Sequence, residues 1–293
     1  MKDIRIASVT DRNYVEMTGV LIASISSQTH SRPVELFIFC NDLTESDKAK
    51  LHSCLMGDAK LTIIDVEEER SKVLSSLTAT RHLTGSAYAR IMIPDMLPDL
   101  DGRLLYLDCD IVVNSPLDEL FELDLRGRPA GAVRNVVSAE RLAQLNSGLR
   151  RPLDTPYFNS GVLLFDLTEW RRQGITARAM DFAKGWEAEN GDHDQAVLNY
   201  VLVGNWLELD VKWNSNPRFV SIEAAQALPL QHFFGKSKPT HREYPEDRRT
   251  IYDQYRALTP WANKRRSSQF ERRLKRKFMR MNVAIKRALR QPA

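Results

Sequence analysis

One stretch, Arg103-Leu-Leu-Tyr-Leu-Asp108-Cys-Asp110-Ile-Val-Val-Asn114, constrains this chain more than any other. Leu104 to Leu107 are apolar without alternation, and Ile111 to Val113 are apolar and β-branched. That is the pattern of a strand covered on both faces. A carboxylate inside such a run is costly, so it is normally paired, protonated or bound to a metal. Asp108 and Asp110 are two apart, and on a regular strand both point to one face. Like charges there repel unless a cation compensates them. Two such oxygen donors suit a hard divalent ion with positions left open for phosphate. A single Asp would suffice to cap a turn, so the pair points to a metal.

The chain has 293 residues, 43% of them hydrophobic, enough for one large domain or a domain with an extension. No run of about 18 apolar residues occurs, so no transmembrane helix is expected. Met1-Lys2-Asp3-Ile4-Arg5-Ile6 passes straight into a strand-like pattern and does not read as a signal peptide. Cys40, Cys54 and Cys109 are an odd set without a CxxC, which fits buried thiols in a reduced, cytoplasmic setting and no zinc ribbon. Charge is uneven. From Trp261 onward twelve Lys/Arg face one acidic residue, Glu271, a net of +11; since the formal total is +4, the rest carries −7. An acidic body with a basic appendage is not a nucleic-acid-binding surface.

Ile4 to Val9 reads as a strand ending at Thr10-Asp11-Arg12-Asn13-Tyr14. Tyr14 to Ser27 reads as a helix and Leu36 to Phe39 as a strand. Leu43 to Leu55 reads as a helix entered through the Asp form of a capping box, Thr44-Glu-Ser-Asp47. Leu61 to Val66 is a third strand. This alternation begins a doubly wound α/β sheet, mostly parallel and flanked by helices. Ligands of such sheets lie beyond the carboxyl ends of strands, near the reversal of strand order. Thr10 to Tyr14 lies at one such end and Asp108 and Asp110 toward another, so one ligand is expected to touch both.

Ser86 to Pro94 reads as a helix delivering Arg90 just ahead of the acidic strand, and Ser115 to Phe121 as a short helix with Pro116 in its first turn. Val136 to Pro156 reads as a loop or lid. Tyr157 to Asp166 reads as a turn at Asn159-Ser160-Gly161 feeding a buried strand, and Trp170 to Trp186 as one or two helices. Asp192 reads as an N-cap with Gln195 three residues on. Asp194 is a first-turn carboxylate that the helix dipole favours in its ionised form. Leu207 to Trp213 and Leu228 to Phe234 read as strands. The second runs into His232-Phe-Phe-Gly235-Lys236-Ser-Lys238-Pro239-Thr-His241, a composition suited to an anion or a metal.

Five segments stand in a shared order: Ala-Tyr-Ala-Arg90; Leu-Tyr-Leu-Asp108-Cys-Asp110; Tyr-Phe-Asn159-Ser-Gly-Val-Leu-Leu; His-Asp194-Gln195-Ala-Val-Leu-Asn; and His232-Phe-Phe-Gly235-Lys-Ser-Lys238-Pro. Over roughly residues 4 to 245 the chain resembles glycosyltransferase family 8, which includes bacterial lipopolysaccharide galactosyl- and glucosyltransferases and glycogenin. The resemblance implies a GT-A fold, a UDP-galactose or UDP-glucose donor, and manganese or magnesium. It implies Asp108, Asp110 and His232 as metal ligands, with Asp108 also on the donor. Arg90, Gly235 and Lys238 would meet the donor's phosphates and sugar, Asp11, Asn13 and Tyr14 the uridine, and Asn159, Asp194 and Gln195 the transferred sugar. Cys109 stands where the family commonly has an aliphatic residue, and a thiol there is tolerable if it faces the core.

The resemblance further implies retention of anomeric configuration and a saccharide acceptor, lipopolysaccharide or another lipid-linked glycan. An amide is a poor nucleophile, so same-face attack by the acceptor hydroxyl is expected, with Gln195 stabilising positive charge on the sugar; a covalent intermediate on Asp194 is the alternative. Two readings from other classes compete. The acidic strand also imitates the hhhDxDxV strand of haloacid-dehalogenase-like phosphatases, though that strand normally opens its domain. A non-catalytic membrane-surface binding protein on a transferase scaffold is the second. Residues 1–260 are expected to form the catalytic domain and 261–293 a basic amphipathic helical tail. Phe270, Leu274, Phe278, Met281, Ile285 and Leu289 recur at helical spacing, with Arg273, Arg276, Lys277 and Arg280 around them. Such a helix suits an anionic membrane surface, which would place the protein peripherally on the inner face of the cytoplasmic membrane.

Overall fold

The computed structural model describes residues 3–67, 88–184, 186 and 193–274. The chain opens with β1 (Ile4–Asp11), α1 (Val15–Ser26), β2 (Val34–Asn41), α2 (Glu45–His52) and β3 (Lys60–Asp65). Later come α3 (Ala89–Met96), β4 (Arg103–Leu107), β5 (Ile111–Val113), α4 (Asp118–Phe121), β6 (Ala130–Arg134) and α5 (Ala139–Gly148). Then follow β7 (Phe158–Asp166), α6 (Leu167–Arg172), α7 (Ile175–Lys184), α8 (His193–Val201), β8 (Leu207–Leu209), α9 (Ile222–Ala227), β9 (Leu230–His232) and α10 (Thr250–Arg256).

Seven strands form one mixed, mostly parallel sheet in the order β3-β2-β1-β4-β7-β6-β8. β1 pairs in parallel with β2 on one side and with β4 on the other, Ile6 standing opposite Leu105. The strand order therefore reverses between β1 and β4. β7 is antiparallel to both β4 and β6. β5 and β9 form a separate antiparallel ladder, with Ile111 opposite His232. The evenly apolar β4 is buried on both faces as its sequence requires. Leu104 and Tyr106 pack with Ile91, Val197 and Trp170 on one side, and Leu105 and Leu107 with Ile22 and Trp261 on the other. The expected capping box starts α2: Asp47 N–H donates to Thr44 Oγ1 at 3.2 Å, and Thr44 N–H to Asp47 Oδ2 at 3.1 Å.

Three expectations need correction. Residues 103–114 are not one strand, because β4 stops at Leu107 and β5 belongs to the other ladder. The segment from Val136 to Pro156 is not all loop: it contains α5, whose N-cap Ser138 accepts a hydrogen bond from Arg141 N–H. Asn146 of α5 donates to the carbonyls of Leu153 and Thr155, which folds the returning chain back onto the helix. Of Leu207 to Trp213, only the first three residues are strand; the rest is a 3-10 turn at Val211–Trp213.

The body extends past residue 260. Trp261 is buried against Gly19 of α1. Arg256 and Lys264 pair with the buried Glu16 of α1, each at 2.9 Å. Residues 269–274 are helical, entered through reciprocal bonds between Ser268 and Glu271, a capping box that the Ser-x-x-Glu spacing encodes. The remainder of the amphipathic stripe, and Asp192, lie outside the described residues.

Candidate active site

β4 ends where its chain must turn. Ile111 N–H donates to Asp108 O at 3.1 Å, closing a tight turn over Asp108, Cys109 and Asp110. Two further backbone bonds fix its ends. Asp108 N–H donates to Gly161 O at 2.8 Å, extending the β4–β7 ladder, and Phe233 N–H donates to Asp110 O at 2.9 Å, extending the β5–β9 ladder. The two carboxylates converge because a turn folds between two sheets, and not because a strand presents them on one face.

Asp108 is held from the large sheet. Tyr106 O–H donates to its Oδ1 at 2.7 Å, and Arg90 Nη2 lies 3.2 Å from the same oxygen. Arg90 Nε stands 2.5 Å from Asp194 Oδ2, and Nη1 donates to both the carbonyl and the hydroxyl of Ser160. Its guanidinium lies over the Tyr106 ring, 5.1 Å from the centroid. Burial works against the charge of Arg90, but Asp108 and Asp194 overcome it and hold the group above its ordinary value. Burial also pushes the Asp194 carboxyl up, and Arg90 opposes this without cancelling it. The helix dipole alone therefore does not set Asp194.

Asp110 is held from the small ladder. His232 Nε2 lies 3.1 Å from Oδ1, and the Lys238 ammonium pairs with Oδ2 while donating to Phe233 O at 3.0 Å. Burial alone would raise the Asp110 carboxyl, but His232 and Lys238 together hold it well below the usual carboxylate range. The His232 ring lies against Gly161: a Cβ there would stand 2.2 Å from Cε1 of the ring and 2.8 Å from Asp108 Oδ2. Only glycine leaves room for both groups.

One donor atom each from Asp108, Asp110 and His232 lies within 4.8 Å of the other two. His232 Nδ1 is 2.7 Å from Asn214 Oδ1, so Nδ1 carries a proton, and in the neutral ring the Nε2 lone pair faces the carboxylates. Two carboxylates and one imidazole, each oriented by a partner of its own, fit a divalent ion.

A cavity of about 300 Å³ opens on this cluster, lined by Asp11, Tyr14, Arg90, Asp108, Asp110 and Lys238 among others. It sits where β1 and β4 end, so the expected junction of the two strand ends is real. Asn13 instead lines a neighbouring cavity of about 720 Å³, with Lys50, Trp261 and Lys264. Gln195 Oε1 accepts from Ser160 N–H at 3.0 Å, which ties α8 to β7 beside Arg90. Asn159 lies one residue before Ser160, and its Oδ1 accepts from Gly161 N–H. Gly235, at φ +98°, takes a backbone conformation that brings Lys238 back over Asp110. Cys109 lines the cavity and does not face the core. Sequence reasoning missed Tyr106, Ser160 and Asn214. The first two are neighbours of motif residues and could have been suspected. Asn214 lies in no motif that periodicity or spacing exposes.

The profile of glycosyl transferase family 8 matches residues 5–243. The chain belongs to this family. General stress protein A of Bacillus subtilis is 27% identical over 278 residues, 88% of this chain and 94% of that protein. The lipopolysaccharide 1,3-galactosyltransferase of Salmonella typhimurium is 27% identical over 271 residues, 88% of this chain and 79% of that protein. Among solved structures, the galactosyltransferase LgtC in complex with donor and acceptor sugar analogues superposes with a TM-score of 0.70 at 21% identity, covering 88% of this chain and 96% of LgtC. The fold is therefore GT-A. The family member described here is a metal-dependent hexosyltransferase that takes a nucleotide-sugar donor and a saccharide acceptor. The phosphatase reading and the non-catalytic reading fall with that assignment.

Proposed function

We propose that this chain moves galactose or glucose from UDP to a saccharide of lipopolysaccharide or another lipid-linked glycan, with retention of configuration and with manganese held by Asp108, Asp110 and His232. The observation that carries this reading is the Asp–Asp–His cluster at the mouth of a cavity that also takes in Asp11 and Tyr14 from the end of β1. Manganese bound there would stabilise the negative charge that grows on the departing diphosphate. Arg90 and Lys238 bring two cations to the same cavity wall. Asp11 and Tyr14, from the end of β1, line the same cavity, where the uridine would lie. Arg90 fixes Asp194 and, through Ser160, the β7 edge to which Gln195 is bonded. These contacts set the positions of the groups assigned to the sugar. Gln195 Oε1 accepts from Ser160 N–H at 3.0 Å and from the Ser160 hydroxyl at 3.5 Å, and an amide oxygen oriented in this way suits stabilisation of positive charge during same-face attack. Lipopolysaccharide transferases from Salmonella typhimurium and Escherichia coli among the relatives support the acceptor class.

A screen of UDP-sugars for manganese-dependent hydrolysis, followed by acceptor glycans with the best donor, tests this. Turnover of UDP-galactose or UDP-glucose that vanishes in chelator is expected. Undiminished activity with metal verified absent would overturn the proposal.

A peripheral membrane position belongs to the same reading. No helix among the described residues is long and apolar enough to cross a membrane. Phe270 and Leu274, the first members of the amphipathic stripe, are exposed, and a basic helix with such a face lies on anionic lipid. Arg266 and Arg272 are bonded to Asp253 and Glu243 of the body, so the informative truncation removes only 275–293. It should release the protein from anionic vesicles and spare hydrolysis of soluble donor. Equal sedimentation of the two chains would remove the tail as an anchor.

A further inference from the structure

Behind the cluster runs a chain of hydrogen bonds in which each assignment forces the next. It begins at Gly161 N–H, a backbone group that can only donate and can neither rotate nor titrate. That group is 2.9 Å from Asn159 Oδ1, so this atom of the amide must be the oxygen. Asn214 approaches the same oxygen at 3.0 Å, so it must do so with its Nδ2. The other end of the Asn214 amide is then Oδ1, 2.7 Å from His232 Nδ1. An oxygen there accepts and cannot donate, so the imidazole carries its proton on Nδ1. In the neutral ring the Nε2 lone pair is then left facing Asp108 and Asp110. Asn214 is buried, and its backbone belongs to the turn after β8, an element apart from both sheets of the cluster.

We propose that Asn214, locked by Asn159, is the positioning residue that sets the His232 tautomer and with it the affinity for the divalent ion. This rests on the reading that Asp108, Asp110 and His232 hold that ion. The competing tautomer is at hand. A proton on Nε2 would find Asp110 Oδ1 at 3.1 Å and would block the nitrogen as a ligand. Without Asn214 nothing in the described surroundings opposes that arrangement. Asn159, which the resemblance places against the transferred sugar, thereby contacts the metal site through one intermediary. The lower end of the relay is a strand backbone, so the relay stands ready before donor or metal arrives.

The test uses the full chain labelled with 15N-histidine, in which six histidines give a spectrum simple enough to read. Long-range 1H–15N correlations on metal-free protein, recorded at alkaline pH, report which nitrogen is protonated. A His232→Ala variant assigns the signal. Loss of the free Mn2+ signal in electron paramagnetic resonance gives the affinity. In the wild type, Nδ1 should be protonated. In Asn214→Leu the proton should move to Nε2, and Mn2+ affinity should fall about 10- to 100-fold, the usual effect of losing an outer partner of a ligating histidine. Asn214→Asp keeps an acceptor for Nδ1–H and should retain both the tautomer and most of the affinity. This also controls for misfolding of the leucine variant. Asn159→Leu, which leaves the Asn214 amide free to turn over, should give mixed tautomers and an intermediate loss. Protonated Nδ1 in Asn214→Leu, or Mn2+ affinity within about twofold of wild type there, would overturn the proposal. If His232→Ala binds Mn2+ as tightly as wild type does, the metal assignment itself has failed; the nitrogen spectra then still decide whether Asn214 sets the tautomer.

Discussion

Asp108 and Asp110 are two residues apart in the chain but belong to different parts of the molecule. Asp108 is an extension of the large sheet: its backbone bonds to β7, and its side chain is held by Tyr106 and Arg90 from β4 and α3. Asp110 is an extension of the small β5–β9 ladder, and its partners, His232 and Lys238, come from β9 and the loop that follows. The large-sheet side rests on a core buried on two faces. The small ladder is covered by α1 and by α10 through Val112, Phe233, Tyr244 and Tyr252. The cluster is thus a seam between two packing units, and an ion held there would tie them together. Equal chemistry at two positions therefore need not mean equal dependence of the fold on them.

The largest expected effect tests this directly. Asp108→Asn and Asp110→Asn should each reduce transfer by roughly 10³-fold, the scale of losing one preorganised electrostatic group in a site. Their stabilities should diverge. Charge repulsion between neighbouring carboxylates suggests that either change would relieve strain, but only Asp108 is placed to behave so. Asparagine at 108 still accepts from Tyr106, and Arg90 keeps Asp194 as its counter-charge, so metal-free stability should change by no more than about 1 kcal/mol. Asparagine at 110 strips Lys238 of a buried counter-charge, and breaking such a pair costs about 3–5 kcal/mol. Denaturant unfolding of the two metal-free variants separates the cases, and equal midpoints would erase the distinction between the two sides.

Gly161→Ala probes the seam itself, since the added methyl would strike His232 from one unit and Asp108 from the other. Overpacking at such a point costs about 1–3 kcal/mol, and the ring must leave its slot to relieve it. Mn2+ affinity should therefore fall more than the melting temperature suggests. Wild-type affinity in this variant would show that the two sides move independently.

The parallel half of the molecule was legible because each strand and helix from Ile4 to Asp65 announces itself by period and by caps such as Thr44–Asp47. The antiparallel half was less so. Nothing local to Phe158–Asp166 says that it inserts between β4 and β6, since pairing partners are chosen by the tertiary fold. The break at Asp108 was hidden because Leu104–Leu107 and Ile111–Val113 are both fully apolar, and a turn between two buried strands looks like one longer strand. α5 reads as loop in the sequence because its signal, Ser138 ahead of Ala139-Glu-Arg-Leu, is short and its apolar face covers only a small satellite core with Tyr157 and Ala196. The motif residues came out of the sequence because acidic and basic groups in apolar runs demand an explanation. Asn214 did not, because an uncharged amide in a turn demands none.

The smallest effect concerns Tyr106, whose hydroxyl bonds Asp108 from within β4. Its hydroxyl is buried, and burial pushes it well above the ordinary tyrosine range; it therefore stays protonated and can only donate to Asp108. A hydrogen bond to a charged group contributes about 1.5–3 kcal/mol when it acts alone. Here Arg90 shares the same oxygen at 3.2 Å, so much of the orientation of Asp108 survives the loss. Tyr106→Phe should consequently slow transfer less than tenfold, about 1 kcal/mol, and it keeps the ring beneath the guanidinium. Tyr106→Leu removes that ring as well and should cost more, because Arg90 then loses the surface that holds it over Asp194 and Ser160. Kinetics on the two variants with saturating metal would order these contributions. If phenylalanine at 106 proved as damaging as asparagine at 108, the phenol would have to contact the reacting groups themselves, and Asp108 would no longer be the member of the pair that the large sheet holds in place by several redundant bonds.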